Sequence, residues 1–441
     1  MKKYAENSDD RQTKRRKSKT MKLMDEVLSK DNLNEAFKQV TRNKGASGVD
    51  EMTCDEVKEY LKVHGNELIN QIKSREYQPQ PVRRVEIPKP NGGVRKLGIP
   101  TVVDRIIQQA LVQKMTPIFE PTFSEYSYGF RPKRRCQNAI DRALELLNQG
   151  YEWIIDLDLE KFFDNVPHDK LIRLVNRGVN DGDVTALIHK YLRAGVLVNG
   201  NFEKTNLGTP QGGNLSPLLS NIYLNELDKE LEKRGLHFAR YADDCVIFVK
   251  TEFSAERVMR NIVTFIESKL KLKVNAEKTH ITRPSNLKYL GFSFWKDKGV
   301  WRAKPHQESY VKVFLKLKKL LKRSWSVNLT YRIKKINDVL RGWINYYRQS
   351  SIKTFLIETL GPWLRNAIRV VVRKQRKLPY TRGQALIKLG LSEGEAKCVS
   401  NSRKGYQHIC HCWSIQKAIT NSRLKKRGLL DPLEYYLKSV A

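Results

Sequence analysis

The chain of 441 residues has no uninterrupted apolar run near the roughly 18–20 residues needed to cross a bilayer. Its N-terminus is too polar for a secretory signal, so a cytoplasmic protein with no membrane partner is expected. Cysteine is scarce. The six, at Cys54, Cys136, Cys245, Cys398, Cys410 and Cys412, include no pair of CxxC elements, which speaks against a disulfide framework and a structural zinc site. His408, Cys410, His411 and Cys412 form the one cluster, at spacings that favour ordinary packing over metal. No internal repeat is visible. Acidic residues are few, 47 against 82 Lys and Arg, a formal net charge of +35.

That charge is unevenly placed. Residues 301–441 hold 31 basic and 7 acidic side chains, a net of +24, and residues 1–20 hold 8 and 3, a net of +5. The remaining 280 residues therefore carry only +6. A nearly balanced body attached to a polycationic third suits a partner with a phosphate backbone, since neutralising phosphates releases counterions.

Residues 1–20, with KRRK at 14–17 and no apolar face, read as a disordered basic arm. Val82–Pro88 has the period of a strand, and Gly93–Ile99 can pair with it across the turn Pro88-Lys89-Pro90-Asn91-Gly92-Gly93. A helix is predicted over 136–149, then a strand from Trp153 in which Asp156 and Asp158, two apart, share a face. Helices fill 168–195. The glycine-rich loop Gly208-Thr-Pro-Gln-Gly-Gly-Asn-Leu-Ser-Pro precedes a helix through Lys233. Residues 238–250 read as two strands joined by a tight turn at Ala242-Asp243, followed by a helix over 254–270 and a strand at Tyr289-Leu-Gly-Phe-Ser-Phe. This order predicts an α+β body. From about Lys304 the pattern turns helical and basic. Over 310–323 Tyr310, Val313, Phe314, Leu317 and Leu321 share one face, and Lys312, Lys316, Lys319 and Arg323 the other.

Asp243 and Asp244 are electrostatically odd, because adjacent carboxylates between apolar strands repel unless a cation offsets them. A second acid-bearing strand, with Asp158, offers the other side of such a site. Three carboxylates on neighbouring strands suit a pair of magnesium ions, hard cations that keep phosphate oxygens in their shell.

These blocks, in this order, resemble the reverse transcriptases encoded by bacterial group II introns. Tyr241-Ala-Asp-Asp looks like the family's catalytic box, Asp156-Leu-Asp-Leu-Glu-Lys-Phe-Phe-Asp-Asn-Val like the box bearing the first catalytic acid, and the 208–217 loop like the template- and nucleotide-positioning box. Ser127-Tyr-Gly-Phe-Arg-Pro, Leu97-Gly-Ile-Pro-Thr-Val-Val-Asp-Arg and Tyr289-Leu-Gly-Phe match further blocks. The resemblance implies a right-hand polymerase, with fingers and palm built on antiparallel sheet followed by a helical thumb or maturase domain. Either Asp156 or Asp158 suits the first acid. An aromatic five residues on blocks the sugar 2′-hydroxyl in such polymerases, and Phe163 stands five after Asp158, which favours Asp158.

By the same resemblance Asp158, Asp243 and Asp244 are catalytic and hold two Mg2+ with the Leu159 carbonyl. Lys89 and Arg95 meet the triphosphate, Gln211 and Phe163 pack at the sugar, Lys278 is a possible general acid, and Tyr289, Leu290, Gly291 and Phe292 form a primer grip. Lys312, Lys316, Lys319 and Arg323 would face nucleic acid. The implied organisation is a basic arm (1–20), an N-terminal extension (21–60), fingers and palm (61–303) and a thumb/maturase domain ending in a short basic DNA-binding region (304–441). The implied partners are group II intron RNA, an RNA template with a DNA primer, dNTP and target DNA. No CxxC-bearing endonuclease module follows before Ala441, so the compact, endonuclease-free (group IIC-like) class is expected, in a bacterial cytoplasm. The alternatives are a domesticated free-standing relative and a splicing factor with a vestigial polymerase site.

Overall fold

A computed structural model of the chain describes residues 22–88, 92–322 and 324–440. The expected basic arm, Lys89 and Arg323 lie outside these residues. Two compact units emerge. The first runs to Arg142 and resumes over Trp153–Ile281; the second comprises Ala143–Glu152 and the chain from Thr282 onward.

The first unit is built around two helices, Val102–Phe119 and Ser216–Lys233, most of whose residues are buried. The first is capped by Thr101, whose hydroxyl accepts from the Asp104 amide at 3.1 Å. Beside them lies a four-stranded sheet in the order β6-β7-β3-β8, with β3 Trp153–Leu157, β6 His237–Tyr241, β7 Asp244–Val249 and β8 His280–Thr282. In β7 every residue from Cys245 to Val249 is buried, which explains a continuous apolar run instead of an alternating one. A second sheet has the order β2-β1-β4-β5: β1 Val82–Pro88, β2 Val94–Ile99, β4 Val196–Val198 and β5 Asn201–Glu203. The hairpin of β1 and β2 and the acid-bearing hairpin of β6 and β7 form as the sequence predicts; the short β4, β5 and β8 were not anticipated by any apolar alternation.

In the second unit β9 Phe292–Asp297 pairs antiparallel with β10 Val300–Pro305 through a turn at Lys298 and Gly299, both at positive φ. The helices Gln307–Leu320, Leu329–Tyr347 and Gly361–Lys374 follow. Two expectations need correction. Tyr289-Leu-Gly is not strand but a tight turn, with Leu290 at φ 51° and Gly291 at φ 80°, and β9 starts only at Phe292. The helix expected over 310–323 spans Gln307–Leu320, with Leu321 as its C-cap. No helix among the described residues is long and apolar enough to cross a membrane.

Candidate active site

Strand β7 pairs on one side with β6, ending at Tyr241↔Asp244, and on the other with β3, ending at Leu157↔Cys245. Asp158 and Asp244 are the residues next to that last β3–β7 pair, and the charge of Asp158 acts on the Asp244 carboxyl. Ala242, left-handed at φ 60°, makes the turn that presents Asp243 and Asp244. Asp158 is pinned from behind. Its amide donates to the Thr279 hydroxyl at 3.1 Å, and its carbonyl accepts from the Asn275 amide at 2.9 Å. The next residue, Leu159, is buried and bridges Val274. Lys278 brings its Nζ to 3.4 Å from the Asp158 carboxylate.

The electrostatics follow from this crowding. Desolvation, then the charges of Asp243, Asp156 and Asp158, pushes the Asp244 carboxyl up to about 7 against the pull of Lys278. The Asp244 side chain is nevertheless exposed, so the acid is open to an incoming cation while its other neighbours are protein. Burial also raises Asp243, and raises Asp156 to about 6. A cluster of hard oxygen donors that resists ionising without a counter-charge fits a divalent cation of the magnesium type. Among the described residues no three His, Cys, Asp or Glu side chains are close enough to cage an ion by themselves.

Beside the acids the glycine-rich loop is laid against β2 and the short helix Phe162–Asn165. The Gly98 amide donates to the Gln211 carbonyl at 2.7 Å, and a Cβ at Gly212 would meet the Gly98 carbonyl at 2.6 Å. Arg95 Nε donates to the Gln211 side chain at 3.4 Å, and the Arg95 charge is felt at Asp243. Gly208, at φ 88°, sits where any Cβ would lie 2.7 Å from the Phe163 carbonyl, which accepts from the Thr209 amide. Phe163 is half-buried with its ring edge-on to Phe162 at 5.2 Å. Arg95, Gln211, Phe163 and the acids thus belong to one unit.

Two groups of expected residues lie in the second unit. Tyr289 and Phe292 are core residues, 2% and 1% exposed, and Phe292 packs on Tyr346 and Tyr347. The carbonyls of Leu290 and Gly291 accept from the Tyr346 and Tyr347 hydroxyls. Lys312, Lys316 and Lys319 are exposed on one helix, although Lys312 is ion-paired with Glu308 at 3.4 Å.

Other side chains hold the site without carrying a motif. His168, buried and driven toward its neutral form by desolvation, has Nε2 2.7 Å from the Gly208 carbonyl. Arg240 is wholly buried and pairs with Asp228. The only signal in the sequence for Arg240 is a cation inside the apolar run that leads to Tyr241.

The comparisons with known proteins bear on this geometry. Residues 87–294 match the family model described as reverse transcriptase (RNA-dependent DNA polymerase), and residues 312–389 match the group II intron, maturase-specific domain. Protein YkfC of Escherichia coli (strain K12) is 37% identical over 289 residues, 56% of this chain and 76% of YkfC. The chain belongs to the group II intron reverse transcriptases. It is an RNA-directed DNA polymerase with a maturase domain. The group II intron-encoded protein LtrA of Lactococcus lactis subsp. cremoris is 34% identical over 325 residues, 58% of this chain and 54% of LtrA, so the chain spans about half of that relative. The putative COX1/OXI3 intron 2 protein of Saccharomyces cerevisiae is 37% identical over 221 residues, 49% of this chain and 25% of the yeast protein. Among solved structures, a chain of a partial Cas6-RT-Cas1–Cas2 complex covers 59% of this chain, and this chain 44% of it, at 25% identity with a TM-score of 0.36. Reverse transcriptase domains use divalent metal ions, and the mixed α+β architecture with a helical C-terminal region is that of the family.

Proposed function

We propose that this group II intron reverse transcriptase adds deoxynucleotides to a DNA primer on an RNA template at a site made by Asp158, Asp243 and Asp244. Support comes chiefly from the β3–β7 register, whose last pair, Leu157↔Cys245, is followed directly by Asp158 on one chain segment and preceded by Asp244 on the other, and from the charge of Asp158 acting on Asp244. Two Mg2+ ions bound by these carboxylates and the Leu159 carbonyl would supply charge neutralisation at the attacking 3′-hydroxyl and the leaving pyrophosphate. Arg95 receives the triphosphate's negative charge. Lys89, outside the described residues, is assigned the same task by the family resemblance. Gln211 and Phe163 border the sugar, where the Phe163 ring excludes a 2′-hydroxyl. Lys278, with its Nζ 3.4 Å from the Asp158 carboxylate, would be the general acid that returns a proton to pyrophosphate.

Residues 61–303 serve as fingers and palm on this reading, with 21–60 as an RNA-contacting extension and 304–441 as thumb and maturase domain. The primer grip is the turn at Tyr289–Phe292, where the buried aromatics hold Leu290 and Gly291 half-exposed. Lys312, Lys316 and Lys319 turn toward nucleic acid; Arg323, outside the described residues, keeps that role only by the resemblance. Group II intron RNA is the partner of the basic third, whose net charge of +24 suits a phosphate backbone; target DNA is the substrate of mobility.

The test is extension of oligo(dT) on poly(rA) by the whole chain. Synthesis that requires a divalent cation and dTTP is expected. Absence of synthesis under any divalent cation, with RNA binding intact, would leave a splicing factor with a vestigial polymerase site.

A further inference from the structure

Arg240 carries a positive charge into a core from which it has no solvent access. Its guanidinium meets the carboxylate of Asp228, equally buried on the Ser216–Lys233 helix, through two bonds: Nε to Oδ1 at 2.6 Å and Nη2 to Oδ2 at 2.5 Å. The third nitrogen is not spent on that pair. Nη1 donates to Asn221 Oδ1 at 3.1 Å and to the carbonyl of Ala242 at 2.8 Å. Ala242 is the left-handed residue that immediately precedes Asp243.

The other face of the turn is held from the same helix. Asn221 Nδ2 donates to the Gly129 carbonyl at 2.8 Å. Gly129 packs so closely that a Cβ would lie 2.2 Å from the Ala242 nitrogen. The turn segment before it is tied to Arg240 itself, since the Tyr128 amide donates to the Arg240 carbonyl at 2.8 Å and the Arg240 amide to the Tyr126 carbonyl at 2.9 Å. Ala242 is therefore gripped at its carbonyl by a guanidinium and backed at its nitrogen by a glycine, and both lead to Asn221 and Asp228.

A buried ion pair is a poor source of stability, because two apolar side chains of similar volume commonly do as well or better. What an apolar pair cannot do is donate a hydrogen bond to Ala242. Holding a residue at positive φ needs surroundings that over-determine it, and here the held residue sets the direction of two acids. We propose that Arg240 is a positioning residue of the polymerase, with Asp228 and Asn221 as its anchors: the clamp fixes the Ala242 carbonyl and thereby the stance of Asp243 and Asp244 toward Asp158. This rests on the reading of those acids as the metal site.

The test uses the whole chain, with binding of Mn2+ alone followed by electron paramagnetic resonance, thermal melting, and primer extension on RNA. Asp243→Asn marks the loss of the metal site. The double variant Arg240→Met/Asp228→Leu removes both buried charges together, so its melting temperature should fall less than that of Arg240→Met alone, which leaves a buried carboxylate unpaired. Its half-saturating Mn2+ should rise about tenfold and its kcat fall on the order of 100-fold, with template–primer affinity kept within about twofold. Arg240→Lys keeps the charge but not the fork and should show the same weakening. Gly129→Ala pushes on the turn without touching the ion pair and decides the matter if neither Arg240 variant folds. Parental Mn2+ binding in whichever of these variants folds would overturn the clamp. If the parent binds Mn2+ but extends no primer, the function reading fails while the metal-binding arm still tests the clamp.

Discussion

Lys278 Nζ lies 3.4 Å from Oδ2 of Asp158, and the same short segment binds the Asp158 backbone through Asn275 and Thr279. A lysine two-thirds exposed gains little from a surface ion pair, about 0–1 kcal/mol, so folding does not account for its place beside Asp158, the proposed catalytic acid. Replacing it with alanine is expected to lower kcat for primer extension by about 100-fold while the KM for dNTP stays within about twofold. A loss smaller than about threefold would make it a surface charge.

Metal and pH are linked through the crowded acids. The Asp244 and Asp156 carboxyls stand at about 7 and about 6, above the ordinary 3.8 of an unfolded aspartate. The folded state therefore binds protons more tightly than the unfolded state. The resulting stability is present below pH about 4 and is lost as pH rises through 6 to 7. A divalent cation offsets the repulsion that appears over that window. The melting temperature without metal should fall between about pH 5 and pH 8, and the rise on adding Mg2+ should be larger at pH 8. Differential scanning calorimetry of the parent and Asp244→Asn checks both, with the variant showing a smaller pH dependence and a smaller Mg2+ response. A Mg2+ response independent of pH would contradict the assignment.

Phe163 owes its place to Gly208, since a side chain there would strike the Phe163 carbonyl. Phe163→Ala should admit ribonucleotides, narrowing the dNTP-over-rNTP ratio of kcat/KM by at least about tenfold. Unchanged sugar selectivity would return Phe163 to a packing role only.

Arg95 donates to Gln211 at 3.4 Å, and its charge acts on Asp243. Charge-assisted contacts to phosphate contribute about 1.5–3 kcal/mol, so Arg95→Ala should raise the KM for dNTP by roughly ten- to 100-fold. Gln211→Ala, which removes the partner that orients the guanidinium, should raise it less. Single-nucleotide addition kinetics separate the two, and an unaltered KM in Arg95→Ala would exclude the triphosphate contact.

Much of this arrangement was legible in the residues. The acid pair between apolar strands could be read from the run Cys245–Val249, because a strand buried on both faces leaves no other place for carboxylates than its end. The glycine-rich loop was legible from its glycines ahead of a helix, whereas the close backbone contacts of Gly208 and Gly212, where a Cβ would clash, are seen only in the structure. What escaped were features with no periodic signature. Strand β10 does alternate, with Trp301, Ala303 and Pro305 buried, but six residues next to a basic helix are overshadowed by the longer signal. The turn at Leu290 and Gly291 looked like strand because its flanking aromatics are buried, whereas its backbone is left-handed at both positions. Arg240 could not be ranked from sequence, since its partner Asp228 lies on a helix and nothing in the spacing announces the contact.

The measurement that bears most directly on the central claim is single-turnover primer extension by Asp243→Ala on an RNA template with saturating Mg2+ and dNTP. Loss of nucleotide addition by at least about 1,000-fold is expected, with template–primer affinity and melting temperature close to the parent's. Extension within about tenfold of the parental rate would contradict the assignment of the β6–β7 turn as the metal-binding centre of this polymerase.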